Sequence, residues 1–450
     1  MWDAASFLQR ALAQPVAPRI ARGDVTRDLR SRYTFNDAMP LQQVIDDVDR
    51  LLLTANVHTI HPGYFGLFNP NVHESSVIAD TIVAAVNPQA GAWFHSPAAV
   101  EIEAHTLRFF ARKFGLPDEH AAHFTTGGSE ANLSGVLCAL AEKFPEARDG
   151  GVRAIAEQPS IFVSAESHHS FEKIAQHTGL GRDAVRVIAT DEHDRMRIDA
   201  LRDALAATRN PFFVVATPGT TGTGAIDPIR EIAALCRERN LWMHVDAAWG
   251  GAACVSPRLR RHLDGIELAD SITCDAHKWL SVPMGAGMFF TPHRESVTAA
   301  FSVSTPYVPE GERLDPDAYA SSLQWSRRFI GLKVFMMLAT LGEDALAKQI
   351  EHHAEIAEYL KRRLIDEGFD VISDSPLAVV SIEHPDAQRI AREVVARGKS
   401  WVSPLMREGK PPAIRMCVTN FATTEDDVNV LVRELAACAA SSPSLEPSRA

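Results

Sequence analysis

The chain has 450 residues, 57 acidic against 45 basic side chains, and a formal net charge of −12. That length exceeds one ordinary hydrophobic core, so two domains are expected. No concentrated basic patch occurs, which argues against nucleic acid, and no run of about eighteen apolar residues occurs, so no membrane span is expected.

The N-terminus lacks a basic region ahead of a long apolar core, so it reads as a short amphipathic helix and not as a secretory signal. The six cysteines (Cys138, Cys236, Cys254, Cys274, Cys417, Cys438) form no Cys-x-x-Cys pair. They read as reduced and structural, consistent with a cytoplasmic protein. Residues 1–60 are expected to be helical, with Val44–Leu52 the clearest amphipathic piece. Residues 61–71 are punctuated by Pro and Gly and read as a loop carrying Tyr64, Phe65 and Phe68. From residue 100 helix and strand alternate, the pattern of a mainly parallel sheet wrapped by helices. Strands are expected at Ile161–Val163, Val185–Ile188, Phe212–Ala216, Leu241–Val245, Ser271–Cys274 and Gly287–Phe290. Residues 301–323 are irregular and read as a mobile loop. A long helical region follows from Arg327 to about Glu367. Then come strand Leu377–Ile382, helix Ala387–Arg397, strands Trp401–Met406 and Ile414–Val418, and helix Glu425–Ala437. The domain expectation is an N-terminal helical segment (1–60), a large α/β domain (61–326), a small C-terminal α+β domain (327–438) and a disordered tail (439–450).

Four stretches carry chemistry. Leu241-Trp-Met-His-Val-Asp246-Ala-Ala-Trp-Gly-Gly251 is an apolar strand ending in an acid, and a buried carboxylate there needs a cationic or hydrogen-bonding partner. Ser271-Ile-Thr-Cys-Asp275-Ala-His277-Lys278-Trp-Leu-Ser281 delivers a lysine at the end of the next strand. A pyridinium nitrogen would satisfy the acid, and a lysine bonded to an aldehyde is the other half of such a cofactor site. Gly127-Gly128-Ser129 opens a helix, where N–H groups and a hydroxyl bind anions, phosphate being the natural guest. Alone, it is more readily an ordinary turn and N-cap; only joined to Asp246 and Lys278 does it become a phosphate cradle. Thr217–Asp227 is a glycine-rich loop after a strand, where ligands gather in parallel sheets. No spacing of further ligands accompanies the His168-His169 doublet, so no metal site is read.

His-Val-Asp-Ala-Ala-Trp-Gly-Gly followed by Asp-Ala-His-Lys-Trp resembles the group II amino-acid decarboxylases, pyridoxal-phosphate enzymes of fold type I. The resemblance extends more weakly from about residue 40 to residue 435. It implies a large domain with a mainly parallel seven-stranded sheet, pyridoxal 5'-phosphate as cofactor, and a homodimer. It implies Lys278 as the residue bonded to the cofactor aldehyde, Asp246 at the ring nitrogen, and Gly127, Gly128 and Ser129 around the phosphate. His168 would stack on the ring, Thr221 would lie beside the cofactor and His277 near the phosphate. Asp275 replaces an asparagine often found there. Tyr307 falls at the family's catalytic-tyrosine position. Tyr64, Phe65, Phe68, Asn71 and Trp93 become candidate substrate contacts, with core packing of the aromatics the competing reading.

The implied function is decarboxylation of an L-amino acid, releasing CO₂ and a primary amine, with an aromatic substrate favoured. Decarboxylation of glutamate, aspartate or diaminobutyrate is the alternative. Aminotransfer or aldol-type cleavage on the same fold is a second alternative; for aminotransfer Arg415 is a candidate carboxylate clamp, and equally a strand surface residue.

Overall fold

The computed structural model describes residues 3–69, 71–303, 317–407 and 409–441. The chain divides into two units: residues 72–352 with 373–377, and residues 1–71 with 353–372 and 378–450.

The larger unit is built on seven strands: β1 (Ala121–Thr125), β2 (Ser160–Ser164), β3 (Val185–Ile188), β4 (Pro211–Ala216), β5 (Trp242–Asp246), β6 (Ser271–Asp275) and β7 (Gly287–Thr291). Their order is β1-β7-β6-β5-β4-β2-β3. β7 runs antiparallel to both β1 and β6, while β3, β2, β4, β5 and β6 pair in parallel. This is the mainly parallel seven-stranded sheet of the fold type I class. Strands β2, β5, β6 and β7 are buried along their whole length, which is why they read as continuous apolar runs without alternation. β5 and β6 pair in the register Asp246 opposite Thr273, so the ends bearing Asp246 and Asp275 lie on one edge of the sheet. β1 ends at the same edge, because Thr125 faces Gly287 and Gly287 faces Asp275.

The smaller unit contains a four-stranded antiparallel sheet: β8 (Asp370–Val371), β9 (Val379–Glu383), β10 (Ser403–Leu405) and β11 (Ala413–Cys417), in the order β10-β11-β9-β8. Helices Ala387–Arg397 and Glu425–Ala440 pack against each other within it. A reciprocal capping box between Thr424 and Asp427 starts the second helix, satisfying N–H groups that no preceding turn can accept. The same unit holds the N-terminal helices Ala4–Leu12, Asp24–Arg32 and Leu41–Ala55.

The sequence expectation needs two corrections. β1 was not expected: its five residues, Ala-Ala-His-Phe-Thr, carry little β propensity, and pairing with β7 supplies what propensity does not. The helical region expected from Arg327 is two helices, Leu332–Leu341 and Glu343–Asp366, broken where Gly342 adopts φ 78°. Residues 327–331 ahead of them belong to no helix or strand. Tyr307 and residues 304–316 around it lie outside the described residues. All six cysteines are buried and free of disulfides. No helix among the described residues is long and apolar enough to cross a membrane.

One buried ion pair ties the 324–331 segment to the large sheet. Arg327 lies 2.8 Å from Glu103 and donates to the Phe124 carbonyl at 3.0 Å. Glu103 also accepts the Gly331 N–H at 2.8 Å. Burial pushes the Glu103 carboxyl above its ordinary value in spite of Arg327. Removing one partner of a buried pair strands the other. Arg327→Met is expected to cost about 3 kcal/mol of stability. The loss should grow as pH rises, since a carboxyl held above its unfolded pKa folds most easily with its proton. Urea unfolding at two pH values checks this; a variant as stable as the parent at both would refute the role.

Candidate active site

Asp246 ends β5 only 5% exposed. An acid so placed needs donors, and it has them: Asn132 Nδ2 donates to Oδ2 at 2.9 Å and the Ala248 N–H to Oδ1 at 3.2 Å. The same Asn132 amide nitrogen lies 3.2 Å from Ser170 Oγ. Helix Gly128–Lys143 brings Asn132 here, and helix Ser170–His177 brings Ser170.

Lys278 follows the end of β6 and is half-buried, with Nζ 3.2 Å from Asp275 Oδ2. Its backbone is held on both sides: its N–H bonds the Asp275 carbonyl at 3.2 Å, and its carbonyl accepts the Ser281 N–H at 3.1 Å. Ser281 adopts φ 59°, a left-handed conformation uncommon for a side-chain-bearing residue. It is pinned there by Gln349, whose amide reaches its hydroxyl at 3.2 Å, and by the His73 N–H on its carbonyl at 3.1 Å. Trp279 stacks on Trp249, with ring centroids 4.6 Å apart and planes 11° apart, joining the segments that follow β5 and β6.

The helix N-terminus at Gly127 and Gly128 faces these groups. A Cβ at Gly128 would fall 2.9 Å from Asp275 Oδ2 and 3.2 Å from the Ala248 methyl, so only glycine lets the helix start approach so closely. His277 lies alongside: its ring would meet a Cβ on Gly127 at 3.4 Å. Its Nδ1 accepts the Ala286 N–H at 3.0 Å, which leaves Nε2, 3.7 Å from Asp275 Oδ2, to carry the proton of the neutral ring. Burial pushes His277 below its ordinary value.

His168 stands in the turn between β2 and helix Ser170–His177. Its Nδ1 accepts the Ser170 N–H at 3.2 Å. Desolvation by surrounding protein, opposed by the charge of Asp246, lowers its pKa; Lys278 and Asp275 are also within electrostatic reach. The imidazole is therefore neutral at physiological pH with Nε2 as its donor. The loop after β4 is stapled by Asp227, which accepts the Thr217 and Met196 N–H groups at 2.8 and 2.7 Å. Burial raises the Asp227 carboxyl to about 7. Thr221 is exposed on that loop.

Gly127, Gly128, Ser129, His168, Thr221, Asp246, Asp275, His277 and Lys278 thus all belong to the larger unit, on segments that follow β1, β2, β4, β5 and β6. Tyr64, Phe65, Phe68 and Asn71 belong to the smaller unit. There Tyr64 and Phe65 are buried; the Tyr64 hydroxyl donates to Asn69 at 2.9 Å and accepts the Leu67 N–H at 3.0 Å. Phe68 lies beneath the Arg415 guanidinium, 5.0 Å from its ring centroid. Trp93 is in the larger unit, half-exposed, its indole bonded to Glu101 at 2.9 Å. Sequence reasoning passed over Asn132, His244 and the paired tryptophans. The available signal was His244, a polar residue inside an otherwise apolar strand.

The chain matches, over residues 27–383, the family model described as the pyridoxal-dependent decarboxylase conserved domain. It is 29% identical over 453 residues to L-2,4-diaminobutyrate decarboxylase of Acinetobacter baumannii, covering 92% of this chain and 88% of that one. It is 26% identical over 395 residues to tryptophan decarboxylase 2 of Oryza sativa subsp. japonica, covering 82% and 79%. The solved structure of Oryza sativa TDC with PLP and tryptamine shares the fold, with a TM-score of 0.89 at 23% identity over 96% of this chain and 95% of that one.

A substitution at the helix start tests the cradle without touching a titratable group. Gly128→Ala should weaken uptake of pyridoxal 5'-phosphate at least about tenfold, because the added methyl pushes the helix start from Asp275 and displaces its N–H groups. Equilibrium dialysis reads this directly, and unchanged affinity would remove Gly128 from the cradle.

Proposed function

Since the chain belongs to the pyridoxal-dependent decarboxylase family, we propose that it removes the α-carboxylate of an aromatic L-amino acid as CO₂ and releases the primary amine. The enzyme class is that of a pyridoxal-phosphate-dependent amino-acid decarboxylase. The residues present fit the cofactor. A glycine cradle at a helix N-terminus suits a phosphate, a buried carboxylate held by amide donors suits a protonated ring nitrogen, and a half-buried lysine at a strand end suits an aldehyde. When bound, the cofactor supplies an electron sink for the charge left at Cα as CO₂ departs.

In this reading Gly127, Gly128 and Ser129 hold the phosphate, with His277 beside them. Asp246 keeps the ring nitrogen protonated. Lys278, its Nζ 3.2 Å from Asp275 Oδ2, would hold the cofactor's aldehyde carbon. His168, neutral and donating through Nε2, covers the ring and orients the substrate carboxylate. Tyr307 returns a proton to Cα, since a phenol holds its proton at neutral pH and can deliver it to a developing carbanion.

The observation that carries this reading is the convergence of Asp246, Lys278 and His168, which end or follow β5, β6 and β2 of one sheet, with Asp246 and Lys278 within electrostatic reach of His168. Support for an aromatic side chain comes from Trp93 and Phe94, 52% and 53% exposed, on a segment anchored by Asp317, which accepts the Trp93 N–H at 2.7 Å. Aromatic surface offers stacking to an aromatic guest. Diaminobutyrate is the second reading, supported by the Acinetobacter baumannii relative.

An amino-acid panel assayed for CO₂, amine and keto acid tests the function. Tryptophan, tyrosine or phenylalanine should give CO₂ and amine in equal amounts; keto acid in place of CO₂ would refute the reaction class, and turnover of diaminobutyrate alone would replace the substrate. In the same assay, run in air, Tyr307→Phe should keep CO₂ release but lose amine and gain aldehyde, with dioxygen consumed as the oxidant and ammonia and hydrogen peroxide released. An unchanged amine yield would remove Tyr307 from protonation.

We also propose a homodimer. Leu8, Leu12, Leu41 and Leu52 are exposed on the N-terminal helices, and Val77, Ile78, Ile82 and Val86 on helix Glu74–Val86. Apolar stripes of this kind mark association surfaces. Mass measurement at assay concentration should give twice the chain mass, and an active monomer would overturn the proposal.

A further inference from the structure

Behind Asp246 runs a chain of buried polar groups. Trp242 Nε1 lies 2.8 Å from Ser271 Oγ, Ser271 Oγ 2.8 Å from His244 Nδ1, and His244 Nε2 3.0 Å from Asn132 Oδ1. Asn132 Nδ2 then donates to Asp246 Oδ2 at 2.9 Å. Trp242, Ser271, His244 and Asn132 are each no more than 1% exposed.

The two ends of this chain dictate every orientation between them. An indole N–H only donates, and a carboxylate only accepts. Asp246 therefore turns the Asn132 amide so that its NH₂ faces the carboxylate and its oxygen faces His244. That oxygen needs a donor, so His244 carries its proton on Nε2. The Nδ1 lone pair then takes the Ser271 hydroxyl proton, and Ser271 Oγ takes the Trp242 proton. All donors point toward Asp246. Burial lowers His244 to about 4, so the ring stays neutral, with one nitrogen donating and one accepting.

Packing locks the ring in this attitude. His244 stacks on Phe213 at 5.5 Å and 24°, and Phe171 meets its edge at 5.9 Å and 68°. On the helix side Gly135 leaves the space: a Cβ there would lie 2.8 Å from His244 Nδ1 and 3.1 Å from Ser271 Oγ. A glycine inside a helix costs stability relative to alanine, and here it admits the imidazole.

We propose that His244 is a positioning residue which, through Asn132, keeps Asp246 an oriented acceptor and so holds the shared proton on the cofactor ring nitrogen. A carboxylate deprived of an oriented donor becomes more basic, and the proton would then move from the ring nitrogen to Asp246. The inference rests on Asp246 being the ring partner.

The experiment loads the parent enzyme, His244→Phe, His244→Gln and Asp246→Ala with pyridoxal 5'-phosphate carrying ¹⁵N in the ring, and records the ring-nitrogen chemical shift. Thermal unfolding of each cofactor-free protein checks the fold. The parent should give the shift of a protonated ring nitrogen. His244→Phe should move it toward the unprotonated value, with turnover falling at least about tenfold, the scale on which partners of a liganding group act. His244→Gln, whose amide can donate to Asn132, should recover most of both. A folded Phe variant with the parent shift would overturn the proposal, as would a Gln variant no better than Phe. Should His244→Phe not fold, Ser271→Ala decides. It removes the donor that holds His244 Nδ1 as an acceptor and should shift the signal in the same direction, and the parent shift in that variant overturns the relay. If Asp246→Ala itself keeps the parent shift, the assignment of Asp246 fails, which is a different result from failure of the relay.

Discussion

A charge taken out of water at the end of a central strand is the constraint around which the larger unit is arranged. Asp246 cannot stay buried without donors, and the fold provides them from two directions, the backbone of Ala248 and the side chain of Asn132. Helix Gly128–Lys143 must lie close against β5 and β6 to deliver Asn132. That closeness is what small residues at Gly128 and Gly135 permit. The same helix offers its N-terminus at the sheet edge where Asp275 and Lys278 emerge. One packing decision therefore brings a carboxylate, a helix N-terminus and a lysine to one edge of the sheet.

The site is held by groups that do not themselves react. Stacking of Trp249 on Trp279 joins the segments after β5 and β6. Ser281 stays in a left-handed conformation through hydrogen bonds from Gln349 and His73. Backbone strain of this kind persists only where its surroundings over-determine it. The loop bearing Thr221 is fastened by Asp227 in the same manner, with a buried carboxylate spanning two backbone donors. Preorganisation of this kind spares the protein reorganisation when charge develops on a bound group.

Two histidines and one arginine illustrate how neutral or charged groups are chosen by burial. His168 and His277 are each held neutral by desolvation, and each has its Nδ1 occupied by a backbone N–H. Both are therefore oriented single donors through Nε2 and not mobile cations. Arg415, buried in the smaller unit over Phe68, is pushed below its ordinary value by desolvation. A guanidinium retains its charge in such a setting and exchanges water for π-face and carbonyl contacts.

Much of this was legible in the chain. The strands ending in Asp246 and Asp275, the lysine three residues beyond Asp275, and the glycines opening a helix all follow from local rules: apolar runs of strand length, small residues where a helix must start, and charged residues where a strand runs out. Length and alternation were enough for a mainly parallel α/β sheet and a small α+β unit, but not for the grouping of residues 1–71 with the latter. What local rules could not supply is adjacency. β1 is a poor strand that exists because β7 returns antiparallel beside it. Tyr64 and Phe65 read equally as pocket or core, and only packing showed them buried with the tyrosine hydroxyl already in use. Asn132 and Asp246 lie 114 residues apart in sequence, and no propensity or spacing links them. Their hydrogen bond is set by strand register and by how closely a helix approaches a sheet, which are properties of the packed chain and not of any segment of it.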